Sequence, residues 1–357
     1  MTASERIPPR SRRRRRHASA VTIHDVAKRA GVSVATVSRV LNGKELVREE
    51  TSRQVQAAAK SLRYVPNVAA RSLSIRRSQT IGIVLPDVHG EFFSEIIRGI
   101  DVAARHAGYH ILVSGSHSDP GEMLEVLQTM HGRVDGSIVM APDVALASLR
   151  EPLASDLPLV LLNSADNNLD SITIDNYGGA RTMMRHLAEL GHERIAFIRG
   201  PAQNSDARER LRGFRRSMRA HGAEARLLEC NGDFTEESGY QAAKRIVELE
   251  PRPTAIFAAN DAMAIGALSA LADLGVDVPR GMSVAGFDDI PIARYVAPPL
   301  TTIRVDIAEL GRRAFALLFG ALEHPSRRER RRECVATSLV IRKSTDPRPQ
   351  GRKGGRP

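Results

Sequence analysis

The sequence predicts an all-α head of three short helices joined to a larger α/β body of two lobes built on parallel sheets. Three observations carry this reading. Helix start and stop signals crowd into residues 21–62, short apolar runs alternate with amphipathic helical stretches from Ile81 onward, and a basic head precedes an acidic body. The 357 residues suffice for two or three domains, each with a core of its own.

The net charge of +11 is unevenly placed. Residues 1–20 hold seven Arg against one Glu, residues 21–78 eleven Lys/Arg against four Asp/Glu, and residues 342–357 six Lys/Arg against one Asp, which leaves residues 79–341 acidic. An acidic partner for the head follows, and nucleic acid is the economical choice. Two cysteines, Cys230 and Cys334, are too few for a disulfide framework or a four-Cys zinc site and suit a reducing compartment. No apolar stretch approaches a membrane span, and the basic start runs into VTIHDVAKRAG instead of a hydrophobic signal core, so a cytoplasmic protein is expected.

Residues 1–20, with the run RSRRRRRH at 10–17, read as a disordered basic arm, because consecutive like charges repel and nothing apolar offsets them. Phosphate contact and plain solvation are both open to it. The first helix starts at a capping box, Thr22 with Asp25, carries Val26, Ala27 and Ala30 inward, and ends at Gly31. Ser33 caps the second, SVATVSRVLNG, which Asn42 and Gly43 stop. The third, Glu49 to Leu62, places Val55, Ala58, Ala59 and Leu62 on one face.

In the second helix Val37 and Val40 share one face, while Val34, Ala35, Ser38, Arg39 and Asn42 cluster within about 140° on the other. Packed on the first helix across a short turn, this is helix-turn-helix geometry, with the outer face free to enter a DNA major groove. Arg39 suits a bidentate contact to guanine, Val34 and Ala35 suit thymine methyls, and Ser33, Thr36, Ser38 and Asn42 suit phosphates. The plain alternative is a solvated face of a small bundle. Beyond Pro66, NVAARSLS has helix formers for barely two turns and would need a partner to order it.

The body's apolar runs are residues 81–85, 109–115, 136–141, 157–163, 171–175, 194–200, 254–260 and 282–288. Helical stretches lie between most of them, at 93–107, 179–190, 207–220, 237–249 and 262–274. So many strands exceed one comfortable sheet, hence two lobes, with ligands expected beyond the strands' C-terminal ends. Phe92, Phe93, Asp175, Arg208, Phe234, Asn260 and Asp288 fall near such ends, where acid, amide and guanidinium groups bracket hydroxyls and rings stack. Each has a plainer alternative: core packing for the rings, helix capping for Asp175 and Asp261, a surface ion pair for Arg210. No Walker loop, G-x-S-x-G elbow or spaced His/Cys metal set appears, and Gly108 spoils the His106–His110 pair, so no enzyme, metal or cofactor is expected.

The stretch from Thr22 to Leu73 resembles the N-terminal domain of the lactose-repressor (LacI/GalR) family of bacterial transcription regulators. The likeness continues through IGIVLPD, FFSEIIRGI, ITIDNYGGA, LGHERIAFIRGP, ARERLRGF, TAIFAANDAMAIGAL, SVAGFDD and PPLTTIRVD. The resemblance implies a helix-turn-helix DNA-binding domain joined to a periplasmic-binding-protein-like effector domain, and a homodimeric repressor reading a pseudo-palindromic double-stranded operator. It puts Val34, Ala35 and Arg39 on base-reading positions, Thr51 and Tyr64 on phosphate-contacting ones, and Asn67 to Ser74 on a hinge helix that orders on DNA. Leu73 falls on the residue wedged into the minor groove, and Phe93 and Phe234 lean toward ligand stacking.

The expected domains are therefore an arm at 1–20, a DNA-binding head at 21–66, a hinge and linker at 67–78, an effector and dimerisation body at 79–341, and a disordered basic tail at 342–357. Within the body, lobe one takes 79–163 plus 289–323 and lobe two 164–288 plus 324–341. A small effector between the lobes, a sugar or sugar phosphate with a purine second, would set operator affinity. The rival is a solute-binding protein without DNA function, which the basic head and the lack of a signal core argue against.

Overall fold

The computed structural model describes residues 21–41, 47–64, 77–142, 157–164, 168–220, 228–325 and 329–348, and they form two units that divide at Arg76 and Arg77. Asn42, Leu73, the hinge segment, the N-terminal arm and the last residues of the tail lie outside the described residues.

The head consists of α1 (Ile23–Ala30), α2 (Val34–Leu41) and α3 (Glu49–Ser61). Thr22 Oγ1 accepts the Asp25 amide, and the Asp25 carboxylate accepts the Thr22 N–H at 2.8 Å, so both halves of the capping box form. Gly31, at φ 64°, ends α1 in the left-handed conformation that favours glycine. Val26, Ala27, Ala30, Val37, Val55 and Ala58 make the core, with Val34, Val40, Leu62 and Tyr64 packed against its rim. At about 1.5–3 kcal/mol per fully buried large apolar side chain, so small a core needs its helix caps.

The body holds two six-stranded sheets. Lobe one contains β1 (Thr80–Leu85), α4 (Glu91–His106), β2 (His110–Gly115), α5 (Pro120–Met130), β3 (Gly136–Met140), β4 (Leu159–Leu162) and β5 (Asp170–Ile174). The chain then enters lobe two for α6 (Asn176–Glu189), β6 (Ile195–Arg199), α7 (Ser205–Ala220), β7 (Leu228–Asn231), α8 (Glu236–Val247), β8 (Ala255–Ala258), α9 (Asp261–Asp273), β9 (Ser283–Asp288) and β10 (Thr301–Arg304). It returns to lobe one for α10 (Ile307–Glu323) and β11 (Arg332–Val335), and ends in lobe two at β12 (Ser338–Val340). Strand orders are β11-β5-β4-β3-β1-β2 and β12-β10-β9-β8-β6-β7, parallel throughout except for β12 against β10. Buried on both faces, central strands such as β3 and β9 read as continuous apolar or small runs.

The pairings correct the expected lobe boundaries. β5 pairs with β4 (Val160↔Asp170), so the first crossing falls at Asp175 and not after Asn163. β10 pairs with β9 (Thr301↔Ala285), which moves the second crossing from Asp288 to Val305 and Asp306. β11 pairs with β5 (Arg332↔Ser171), so the third lies at residues 336–337. An apolar run announces a strand but not its sheet, and these partners are distant in sequence. The tail is also shorter than expected. Ser344 is fully buried, donates to Val284 O at 2.6 Å and accepts the Thr301 amide at 2.8 Å, while the Arg348 amide reaches Leu190 O at 2.9 Å. Residues 342–348 thus pack on lobe two, bound to its strands and to the end of α6 by hydrogen bonds that a Pro/Gly-rich composition hides.

In each lobe two helices cross at reciprocal glycines. A Cβ on Gly99 of α4 would lie 2.0 Å from Ala308 O, and one on Gly311 of α10 would lie 2.4 Å from Ile96 O. In lobe two a Cβ on Gly239 of α8 would lie 2.1 Å from Met263 O, and one on Gly266 of α9 1.9 Å from Glu236 O. Only hydrogen fits at these four positions, and the helices pack backbone to backbone. Among the described residues no helix is long and apolar enough to cross a membrane.

Candidate nucleic-acid interface and effector crease

In the head, Ser33 accepts the Thr36 amide at 3.1 Å and its hydroxyl bonds that of Thr36 at 2.9 Å, which fixes the start of α2. Val37 is fully buried and anchors the helix, whereas Ala35 and Arg39, four residues apart, are exposed on one face. Val34 and Ser38 are half-buried beside them, Val34 against the core rim. Thr51 is half-buried in the first turn of α3, and Tyr64 packs on the same core with its amide on Ala59 O at 2.9 Å.

In the body, the C-terminal ends of lobe two's strands meet the first turns of α6 and α7. Ala207, Arg210, Phe214 and Met218 share the buried face of α7, so this arginine occupies a core-facing position. Arg210 is 3% exposed. Its Nε donates to Asn176 Oδ1 at 2.8 Å, its Nη1 to Ala259 O at 2.6 Å, and its Nη2 lies 2.9 Å from Asp288 Oδ1. The guanidinium sits 3.9 Å from the Phe287 ring centroid, which supplies a cation–π contact. Asn176 Nδ2 in turn donates to Asp206 Oδ1 at 2.7 Å.

Asp206 is half-buried as a residue with its carboxyl turned inward, and Asp288 is 5% exposed. Burial pushes both carboxyls up to about 6 against the pull of Arg210. Behind them Asp261 accepts from Thr302 Oγ1 (2.5 Å) and the Ile290 amide (3.0 Å), and burial beside Asp288 raises its carboxyl well above the ordinary value. Asp261 is therefore a buried acceptor bracing β9 and β10. Asp288 and Asp289 both take left-handed backbone, at φ 114° and 57°. Strain of this kind persists where the surroundings over-determine it, and here they do. The Val305 amide holds Asp288 O at 3.1 Å, and Arg304 and Arg342 hold the Asp289 carboxylate at 2.7 and 2.5 Å.

Lobe one closes over this cluster. The Ser205 amide donates to Pro142 O at 3.0 Å, the Asn163 side chain lies against Asp206, and the Ile292 amide donates to Glu91 Oε2 at 2.8 Å.

The other expected site residues are held locally. Phe92 and Phe93 are half-buried on the first turn of α4, edge to face at 5.6 Å. Asp175 caps α6 through the Gly178 amide at 2.8 Å. Asn260 caps α9 through the Met263 amide and donates to Phe234 O, both at 3.0 Å, while the Phe234 ring covers Gly200. Arg208 is exposed and donates to the carbonyls of Ala202 and Gln203. Arg210, read from sequence as a surface partner, is the arginine that meets Asp288. Its place three residues after Ala207 and four before Phe214 is the sequence signal that marks it as inward.

Comparison with known proteins places these features. The model for bacterial regulatory proteins of the lacI family matches residues 22–67, and that for the periplasmic binding protein-like domain matches 184–345. The chain is 36% identical over 334 residues to the HTH-type transcriptional repressor PurR of Haemophilus influenzae, covering 90% of this chain and 98% of that one. It is similar to a lac repressor dimer bound to operator and the anti-inducer ONPF, with TM-score 0.84, 31% identity, and coverage of 92% and 99%. A complex of the transcriptional regulator CelR with cellobiose has TM-score 0.67, 30% identity, and coverage of 91% and 99%.

Proposed function

The chain belongs to the lacI family of bacterial regulatory proteins, and on that premise we propose how this member reads DNA and senses its effector. It is a sequence-specific DNA-binding transcriptional repressor, not an enzyme, and acts as a homodimer on a pseudo-palindromic operator. Its place of work is the cytoplasm, where that DNA lies.

The observation that carries the proposal is the arrangement on α2, where buried Val37 fixes the helix while Ala35 and Arg39 face outward. Val34, Ala35 and Arg39 read bases, and Ser33, Thr36, Ser38, Asn42, Thr51 and Tyr64 hold phosphates, so register and sequence are read by different side chains. Leu73, in a hinge at 67–78, wedges into the minor groove and bends the duplex. In the body a small molecule seats between the lobes at Asp288 and Arg210, with Phe92, Phe93, Asp175, Arg208, Phe234 and Asn260 around it. The Val305 amide on Asp288 O makes the second crossing a neighbour of that ligand. An effector that favours one lobe arrangement then shifts operator affinity by its differential binding to the two.

The test is to incubate the full chain with random genomic fragments and sequence what is retained. A recovered inverted repeat supports the proposal, and retention without sequence preference refutes it.

A further inference from the structure

The charges at the crease define the class of effector. We infer that the ligand seated at Arg210 and Asp288 is an uncharged molecule that offers hydrogen-bond donors, and that this site excludes phosphate esters. The inference rests on the reading of the crease as the effector site.

One guanidinium faces two carboxylates, Asp288 at 2.9 Å and Asp206 through the shared Asn176 amide. Arg210 is already committed on all three nitrogens, to Asn176, Ala259 O and Asp288. An anion arriving here meets two carboxylates against one guanidinium among buried, poorly hydrated side chains, where like charges repel strongly. It would also have to displace Asp288 from Arg210. The nearby Arg208 turns to the carbonyls of Ala202 and Gln203. A hydroxyl or amino group meets the opposite situation. A carboxylate has about four lone-pair sites, and the single Arg210 contact to Asp288 Oδ1 leaves others open, so Asp288 retains acceptor capacity for a donor on the ligand. Asn163, which reaches Asp206 from lobe one, brings a second polar group to the same place.

The experiment uses inorganic phosphate and ribose 5-phosphate as probes on the full chain, in chloride buffers of matched ionic strength. The readout is the probe-dependent rise in melting temperature of each protein minus that of Arg210→Gln, so that binding to the basic head cancels. Wild type is expected to show no difference, and the Asp206→Asn/Asp288→Asn double variant, which leaves Arg210 uncompensated, a saturable rise. A saturable rise in wild type, or none in the double variant, overturns the inference. If Arg210→Gln does not fold, crystals of wild type and of the double variant soaked in phosphate give the same answer: anion density at Arg210 is expected in the variant alone, and its presence in wild type overturns the inference, as does its absence from both. Failure of the underlying reading is separate. It shows when ligands from a panel of neutral sugars and nucleobases stabilise wild type and Asp288→Asn equally.

Discussion

Arg210 Nη2 lies 2.9 Å from Asp288 Oδ1, and both side chains are more than nine-tenths buried. Removing one partner of such a pair strands the other charge in the interior, at a cost of about 3–5 kcal/mol. Arg210→Met should therefore lower stability to urea by that order and abolish any small-molecule effect on operator binding. A folded Arg210→Met protein with unchanged effector response, measured by gel shift, would remove this pair from the site.

The same burial gives a pH signature. With folded values near 6 against 3.8, Asp206 and Asp288 bind more protons folded than unfolded between those limits, so their contribution to stability falls as pH rises from about 4 to 6 and stays low above. Asp206→Asn keeps an acceptor for Asn176 without the charge. It should gain up to about 3 kcal/mol at pH 7 relative to wild type and nothing at pH 4, since one pKa unit corresponds to about 1.4 kcal/mol. Thermal melts of the two proteins at both pH values check this, and a constant offset would contradict it.

Gly99→Ala and Gly266→Ala introduce methyl groups 2.0 and 1.9 Å from backbone carbonyls that no rotamer change relieves. Each should cost about 1–3 kcal/mol or more through helix displacement. Denaturant midpoints at constant slope measure it; a loss under a few tenths of a kcal/mol would mean that the helices part freely.

Arg39→Ala should lose discrimination at one base pair per half-site, about 1–3 kcal/mol, and leave the salt dependence of binding nearly intact. Leu73→Ala should instead weaken specific binding throughout and reduce bending. Footprints and circular-permutation shifts on the recovered operator separate the two, and an unchanged operator preference in Arg39→Ala excludes its base-reading role.

What the sequence made legible was local. The capping box at Thr22 and Asp25, the Gly31 stop and the Ser33 cap are signals three residues long, and the structure builds each of them. β7, β10, β11 and β12 were missed because they are short, and three of them carry polar residues such as Glu229, Arg304 and Glu333 that blur an apolar run. α5 and α10 went unremarked although both begin at Asp caps. The choice of Arg208 over Arg210 had a different cause. Nearness to a strand end weighed more than helical phase, and two positions along a helix is over half a turn. The lobe boundaries failed because a crossing is defined by strand pairing, which joins residues as distant as Arg332 and Ser171.

The reciprocal glycines of α4 with α10 and of α8 with α9 have a mechanical consequence. Helices locked backbone to backbone give each lobe little internal compliance, so strain introduced at Asp288 is not absorbed by side-chain rearrangement. The chain passes between the lobes at three strand crossings, at Asp175, at Val305–Asp306 and at residues 336–337, and movement of one lobe against the other is concentrated there. With stiff lobes, the response to an effector is set at these crossings. Substitutions at the crossings should therefore change the concentration of effector needed for half response while leaving the operator sequence preference unchanged.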